Sequence, residues 1–335
     1  MILLYFILFF ILIFSLINAV LFIRHKRHSN KFIEKIIKNN HLDKVLKIKK
    51  QNWMITSFRT SKSIKDVSIK DVTSNKWFKI EDKNCSGVAD PFLFKNEKKY
   101  YLFFEYEYHQ ELDKGADLAY AISDDGIEWR FQSKIIEESF HQSFPYVFIE
   151  NEEIYMLPES NESNEVRLYI AEKFPLKWKL DKILYKGTQF VDTILLKKKD
   201  VYYWFTTDLK NNNLLLLFYS EKFKGEWIQH PSSPISNSLK NNRNAGAIII
   251  ENNNYYRPAQ DGENGYGSGI NLYKIIDISK ENYKERIIKD PMFLKNTAEI
   301  KDAIHHISIL EDELKCKLIA IDGANFAVKG IKINL

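Results

Sequence analysis

"SGVADPFLFKNEKKYYLFFE", residues 86–105, is an apolar strand, a polar turn and a second, aromatic strand, with an Asp-Pro step at its mouth and a lone glutamate at its close. Proline lacks the donor that a strand ladder needs and aspartate is a poor strand former, so Asp90-Pro91 marks a strand's beginning rather than its interior. The same pattern returns along the chain. "FPYVFIENEEIYMLPE" from Phe144 and "DTILLKKKDVYYWFTT" from Asp192 align with it directly, and "NAGAIIIENNNYYRPAQD" from Asn244 keeps the spacing to its Tyr-Tyr pair. "HISILEDELKCKLIAID" from His306 is a more degenerate fifth copy. Each of the first four copies is followed by another repeated stretch, such as "LAYAISDDGIEW", and these close at Trp129, Trp178, Trp227 and Tyr283, in steps of 49, 49 and 56 residues. Such a period, with about four strands per unit, reads as a β-propeller blade.

The expected fold is therefore all-β, a five-bladed β-propeller over residues 51–335, with 52–84 closing the ring against the last blade. The periodic tryptophans are expected in the blade cores. In a propeller the first strand of each blade lines the central channel, so Asp90, Phe144, Asp192, Asn244 and His306 should converge at one mouth. Asp90 is the leading candidate for a functional carboxylate at that mouth; Asp192 opens the third copy, and Glu105 and Glu159 each close a blade's second strand. Candidate substrate contacts are His141, Arg243 beside Asn244, the trio Arg257, Gln260 and Asp261, and the pair His305 and His306. Arg243 lies beside a glycine-bearing backbone and suits a phosphate or carboxylate, or else a blade-closing salt bridge. Arg257 suits sugar hydroxyls, or else a structural pair with Asp261. "DGENGYG" lacks the distal glutamate of a calcium loop and reads as a turn. Cys85 and Cys316 have neither disulfide nor metal spacing, and no metal or cofactor is expected.

Residues 1–23, "MILLYFILFFILIFSLINAVLFI", carry no charge and suffice to cross a bilayer as a helix, which predicts an uncleaved transmembrane anchor. Residues 24–50 hold ten Lys or Arg against Glu34 and Asp43, or +8; the whole chain is +5, so the remainder is about −3. Positive charge confined to the juxtamembrane stretch points to anionic lipid and away from nucleic acid. Phe32, Ile33, Ile36, Ile37, Leu42, Val45 and Leu46 recur at helical spacing, so a basic amphipathic helix along the membrane is expected. The charge asymmetry predicts a single-pass protein with a cytoplasmic propeller.

"ADPFLF" opening the first blade resembles the glycoside hydrolase family 43 fold, in which a first-blade Asp is the general base. The ordered set from "ADPFLF" through "FHQSFPYVF", "VDTIL", "RNAGAIII" and "YGSGINLYKI" to "HHIS" is still more similar to the N-terminal domain of the glucosamine inositolphosphorylceramide transferases and its bacterial relatives. Asp90 matches the hydrolase base, whereas Phe144 stands where those enzymes carry a second acid. The resemblance implies a sugar-active or sugar-binding propeller. In the plant members a glycosyltransferase domain follows, and the sequence in hand stops where it would begin, which removes the most direct argument for transferase activity and leaves a separate glycosyltransferase as an expected partner of a scaffolding propeller. The leading expectation is a membrane-anchored propeller that binds or acts on a sugar, nucleotide-sugar or glycolipid in surface-polysaccharide or glycolipid assembly. Two alternatives stand beside it: a glycoside hydrolase with Asp90 as base and Asp192, Glu105 or Glu159 as acid, and a non-catalytic scaffold.

Overall fold

The computed structural model describes residues 52–72, 76–109, 115–294, 300, 302–311 and 316–325. The expected anchor (1–23) and basic helix (24–50) lie outside the described residues. Among the described residues no helix is long and apolar enough to cross a membrane.

The first strand, β1 (Asn52–Thr60), waits for the last blade. Blade one is β2 (Cys85–Asn96), β3 (Lys99–Tyr108), β4 (Ala116–Ser123) and β5 (Arg130–Ile136). Blade two is β6 (Ser143–Glu150), β7 (Glu153–Glu159), β8 (Glu165–Lys173) and β9 (Lys177–Lys186). Blade three is β10 (Phe190–Lys198), β11 (Val201–Asp208), β12 (Leu214–Ser220) and β13 (Ile228–Gln229), and blade four is β14 (Ile249–Glu251), β15 (Asn254–Asp261), β16 (Gly269–Ile278) and β17 (Tyr283–Leu294). Each is an antiparallel sheet in chain order. Blade five takes β18 (Ile307–Glu311) and β19 (Lys317–Asn325) and completes itself with β1, so the order is β18-β19-β1. The two chain ends are thus zipped together from Asn52↔Asn325 to Thr60↔Lys317. Phe78 bridges Ile55 at the outer edge of β1, so the stretch 52–84 closes the ring as expected.

Alternating strand positions face opposite sides of a blade, and both sides of these blades are apolar, so the core lies between blades. Leu102, Phe104 and Tyr106 of blade one meet Ile55, Leu318 and Ala320 of blade five. Leu157 and Leu168 of blade two meet Trp204 and Phe218 of blade three. Trp227 is buried in that same cluster, and Trp129 and Trp178 pack at the margins of two others. The tryptophan period is thus a core period.

The inner strands are kinked at equivalent places. Their registers shift between Ala89 and Phe92, Ser143 and Tyr146, and Val191 and Ile194, where Asp90 (φ 53°), Phe144 (φ 51°) and Asp192 (φ 51°) are left-handed. Aspartate tolerates this region better than most residues; an aromatic residue there is strained by about 1–2 kcal/mol. In blade four Asn244 bridges Ala259, and the positive φ falls two residues later, at Gly246 (φ 138°). Below these kinks the channel is filled by aromatic rings: Phe92 lies 4.9 Å from Phe144 and 4.6 Å from His306, and Phe144 and His306 are 5.0 Å apart.

At Gly246 a Cβ would stand 2.0 Å from the carbonyl oxygen of Ile307, which is backbone and cannot move aside. Gly246→Ala should therefore cost about 3–5 kcal/mol, whereas Gly187→Ala, at a positive φ with open space around it, should cost only about 1 kcal/mol. Denaturant unfolding of the two variants measures the difference.

Candidate functional site

The five residues expected to converge do so in two groups. In the first, the Asp90 carboxylate on β2 accepts a hydrogen bond from the backbone N–H of Phe144 (3.1 Å), contacts His305 Nε2 at 2.9 Å, and has His306 Nδ1 at 3.6 Å. The other nitrogen of His305 lies 2.9 Å from Asp322, in the middle of β19. Asp322 also accepts the backbone N–H groups of Asp90 (3.2 Å), His305 (3.0 Å) and His306 (2.9 Å). All four side chains are buried.

Burial disfavours a charged imidazole, but the carboxylates of Asp322 and Asp90 on either side overcome it and push His305 up to about 10. Burial likewise opposes ionisation of Asp90, yet His305 and then His306 hold its carboxyl well below the usual carboxylate range. At neutral pH Asp90 is held ionised and His305 keeps its proton between the two aspartates. Asp90, His305 and Asp322 bring three ligand-type atoms within 4.8 Å of one another. A cation there would have to displace the imidazole proton and break both of its short ion pairs, so the donor set fits a charge row better than a metal centre.

In the second group Arg243 grips Asp192 with two nitrogens, at 2.6 and 3.0 Å. Burial opposes the guanidinium's charge, and Asp192, Tyr266 and Glu159 together hold it further into the charged state. Gln260 donates to Asp192 (3.4 Å) and to the Asn244 carbonyl (2.9 Å), and the Asn244 amide donates to the Asp192 carbonyl (2.8 Å). Tyr266 joins the two groups. Its ring lies 5.6 Å from the Arg243 guanidinium, 5.0 Å from the His305 ring and 6.2 Å from Trp53, which itself packs on His305 at 4.5 Å. Tyr266 is 38% exposed and the Arg243 side chain 27%, so these two carry the site to solvent.

The remaining candidates divide. His141 contacts the buried Glu105 at 3.3 Å, and Glu159 is buried at the end of β7 near enough to Arg243 to reinforce its charge. Arg257 is fully buried and forks onto Glu285 at 2.9 and 2.6 Å rather than onto Asp261, while also donating to Asn244. Asp261 caps its own turn through the Glu263 N–H at 3.0 Å. Arg257 and Asp261 therefore act within blade four. Asp322, Trp53 and Tyr266 were not among the sequence candidates. An aspartate inside the apolar run "LIAIDGAN" was the available signal for Asp322, since a strand interior disfavours it.

A glycosidase acid must hold a proton at working pH. Asp90 is held ionised, the state expected of the base, while Asp192, one of the three candidate acids, is gripped bidentately by Arg243.

A family described as "Glucosamine inositolphosphorylceramide transferase 1, N-terminal" matches residues 40–310. The chain belongs to this family. The glucosamine inositolphosphorylceramide transferase 1 of Oryza sativa subsp. japonica is 37% identical over 205 residues, covering 59% of this chain and 27% of that protein. Its counterpart in Arabidopsis thaliana is also 37% identical over 205 residues, covering 59% of this chain and 26% of that protein. The chain thus spans about a quarter of the length of these curated relatives. Among solved structures, the catalytic domain of the Coprinopsis cinerea GH62 α-L-arabinofuranosidase superposes with a TM-score of 0.54 at 14% identity, covering 74% of this chain and 95% of that one. At that identity the likeness is one of fold, and the chemistry is read from the site.

The sign of the His305 shift fixes a pH dependence. A folded value near 10 against an unfolded 6.5 gives stability that is complete below pH 6.5 and lost, at up to about 1.4 kcal/mol per pH unit, as pH rises towards 10. Across pH 6.5–10 the unfolding midpoint of the wild type should fall more steeply than that of His305→Gln; parallel curves would refute the imidazolium.

Proposed function

We propose that this propeller is a carbohydrate-recognition domain in glycolipid glycosyl transfer. It binds the sugar or sugar-phosphate part of its ligand at the Asp90 mouth and does not hydrolyse it. The observation that carries the reading is that both aspartates at the mouth are engaged by cationic partners, Asp90 by His305 and Asp192 by both arms of Arg243. Carboxylates so held are rigid hydrogen-bond acceptors and poor proton donors. Above them the exposed Tyr266 ring offers a stacking platform, and the Arg243 guanidinium beside it complements an anion. The relatives' printed name, a transferase building a glucosamine-bearing inositolphosphorylceramide, supports a glycolipid of this general kind.

The uncharged stretch 1–23 and the basic stretch 24–50 support single-pass anchoring with the propeller on the cytoplasmic side. Resistance to alkaline carbonate extraction, together with protease access from the cytoplasmic face only, is the expected result.

The purified full chain should bind sugar phosphates in calorimetric titration and leave aryl glycosides intact. Tyr266→Ala, which removes an exposed ring, should weaken binding about ten-fold, a loss of about 1.4 kcal/mol, with the fold retained. Turnover of a glycoside that vanishes in Asp90→Asn would overturn this reading in favour of a glycosidase.

A further inference from the structure

The ring closure also fixes where the N-terminal stretch is attached. Inner strand β2 runs from the Asp90 end of the propeller towards the opposite end, and the antiparallel alternation carries this sense through every blade. β18 therefore starts at the mouth, β19 returns towards it, and β1 starts at it again. The register agrees, because Ile55 pairs with Asp322, whose carboxylate holds the Asp90 N–H. Asn52 accordingly stands at the mouth end, and its neighbour Trp53 packs directly on His305. The ten-cation stretch ends at Lys49 and Lys50, with only Gln51 between it and β1. Two residues of chain span at most about 7 Å.

We infer that the mouth faces the lipid surface to which residues 1–50 attach the protein. Lys50 lies at most about 7 Å of extended chain from Asn52 and Lys47 at most about 17 Å, so anionic headgroups that attract these lysines lie near the rim at Asn52 and Trp53. The opposite end of the propeller, with the β2–β3 turn at Glu97 and Lys98, points into the aqueous phase. The groups that reach solvent at the mouth, the amphipathic ring of Tyr266 and the Arg243 guanidinium, suit a rim that faces anionic headgroups. The inference rests on the anchoring and on the carbohydrate-binding reading above, and goes beyond both in giving the site an orientation.

The test uses the full chain in nanodiscs of phosphatidylcholine and phosphatidylserine doped with a nickel-chelating lipid. Cys85 and Cys316 are replaced by serine, and a spin label is attached at either Leu239→Cys or Lys98→Cys. Leu239 is 46% exposed and its carbonyl accepts the Gly262 N–H just beyond the mouth end of β15; Lys98 is exposed at the opposite end. Nickel at the headgroups should enhance relaxation at position 239 several-fold more than at 98. Equal enhancement, greater enhancement at 98, or failure of the chain to enter the discs overturns the inference. Sugar-phosphate titration of the same samples separates the two claims: binding with a remote mouth label removes the orientation alone. A headgroup-proximal mouth that binds no sugar removes the carbohydrate reading and leaves the orientation standing.

Discussion

One carboxylate holds the first and last blades of this ring together. Asp322 accepts three backbone N–H groups, from Asp90, His305 and His306, and faces the His305 imidazolium. A fully buried charge is costly unless it is hydrogen-bonded and paired, and removing one partner of such a group typically costs about 3–5 kcal/mol. Asp322 sits on β19 and takes its partners from β2 and from His305 and His306 just before β18, so satisfying it requires the closed ring. The strand zipper of β1 on β19 supplies closure along the edge, and Asp322 supplies it at the channel.

The same carboxylate shapes the site. By engaging one face of His305 it keeps that ring protonated, and the protonated ring keeps Asp90 ionised. Asp90 in turn accepts the Phe144 N–H, which helps to hold an aromatic residue in a left-handed conformation that it would not adopt alone. Phe144 thereby turns its ring into the channel against Phe92 and His306. A run of four residues from blades five, one and two is thus one electrostatic unit. A parallel unit in blades three and four, built on Asp192, Arg243, Asn244 and Gln260, meets it through Tyr266.

This arrangement explains how a propeller with the fold of a glycoside hydrolase can present a different site. The fold is carried by interblade apolar packing and by the kinks that begin each inner strand, and both are indifferent to which polar groups stand at the kinks. Hydrolytic chemistry depends on one protonated and one ionised carboxyl at defined separation. Here the second-blade position is Phe144 and the third-blade aspartate is gripped by Arg243, so the scaffold persists while the groups at these two kinks change.

The repeat of "DPFLF…YYLFFE", read five times, determined the blade count, the strands and the residues lying nearest the channel, because a blade must bury both of its faces and so writes its period into the apolar and aromatic positions. Closure by residues 52–84 was legible too, since an N-terminal strand pattern without its own blade has one open edge to fill. The partners of the charges were not legible. Nothing local links Asp322 to Asp90 across 232 positions, or Arg257 to Glu285 rather than to the nearer Asp261. Nor does the sequence mark Trp53 and Tyr266 as neighbours of His305, because such proximity is set by ring closure and by inner-strand kinks. The sequence by itself determined the propeller and placed Asp90 and Asp192 at its mouth; only the tertiary structure brought in Asp322 and decided which charges neutralise one another, because that depends on distances of a few ångströms between strands far apart in the chain.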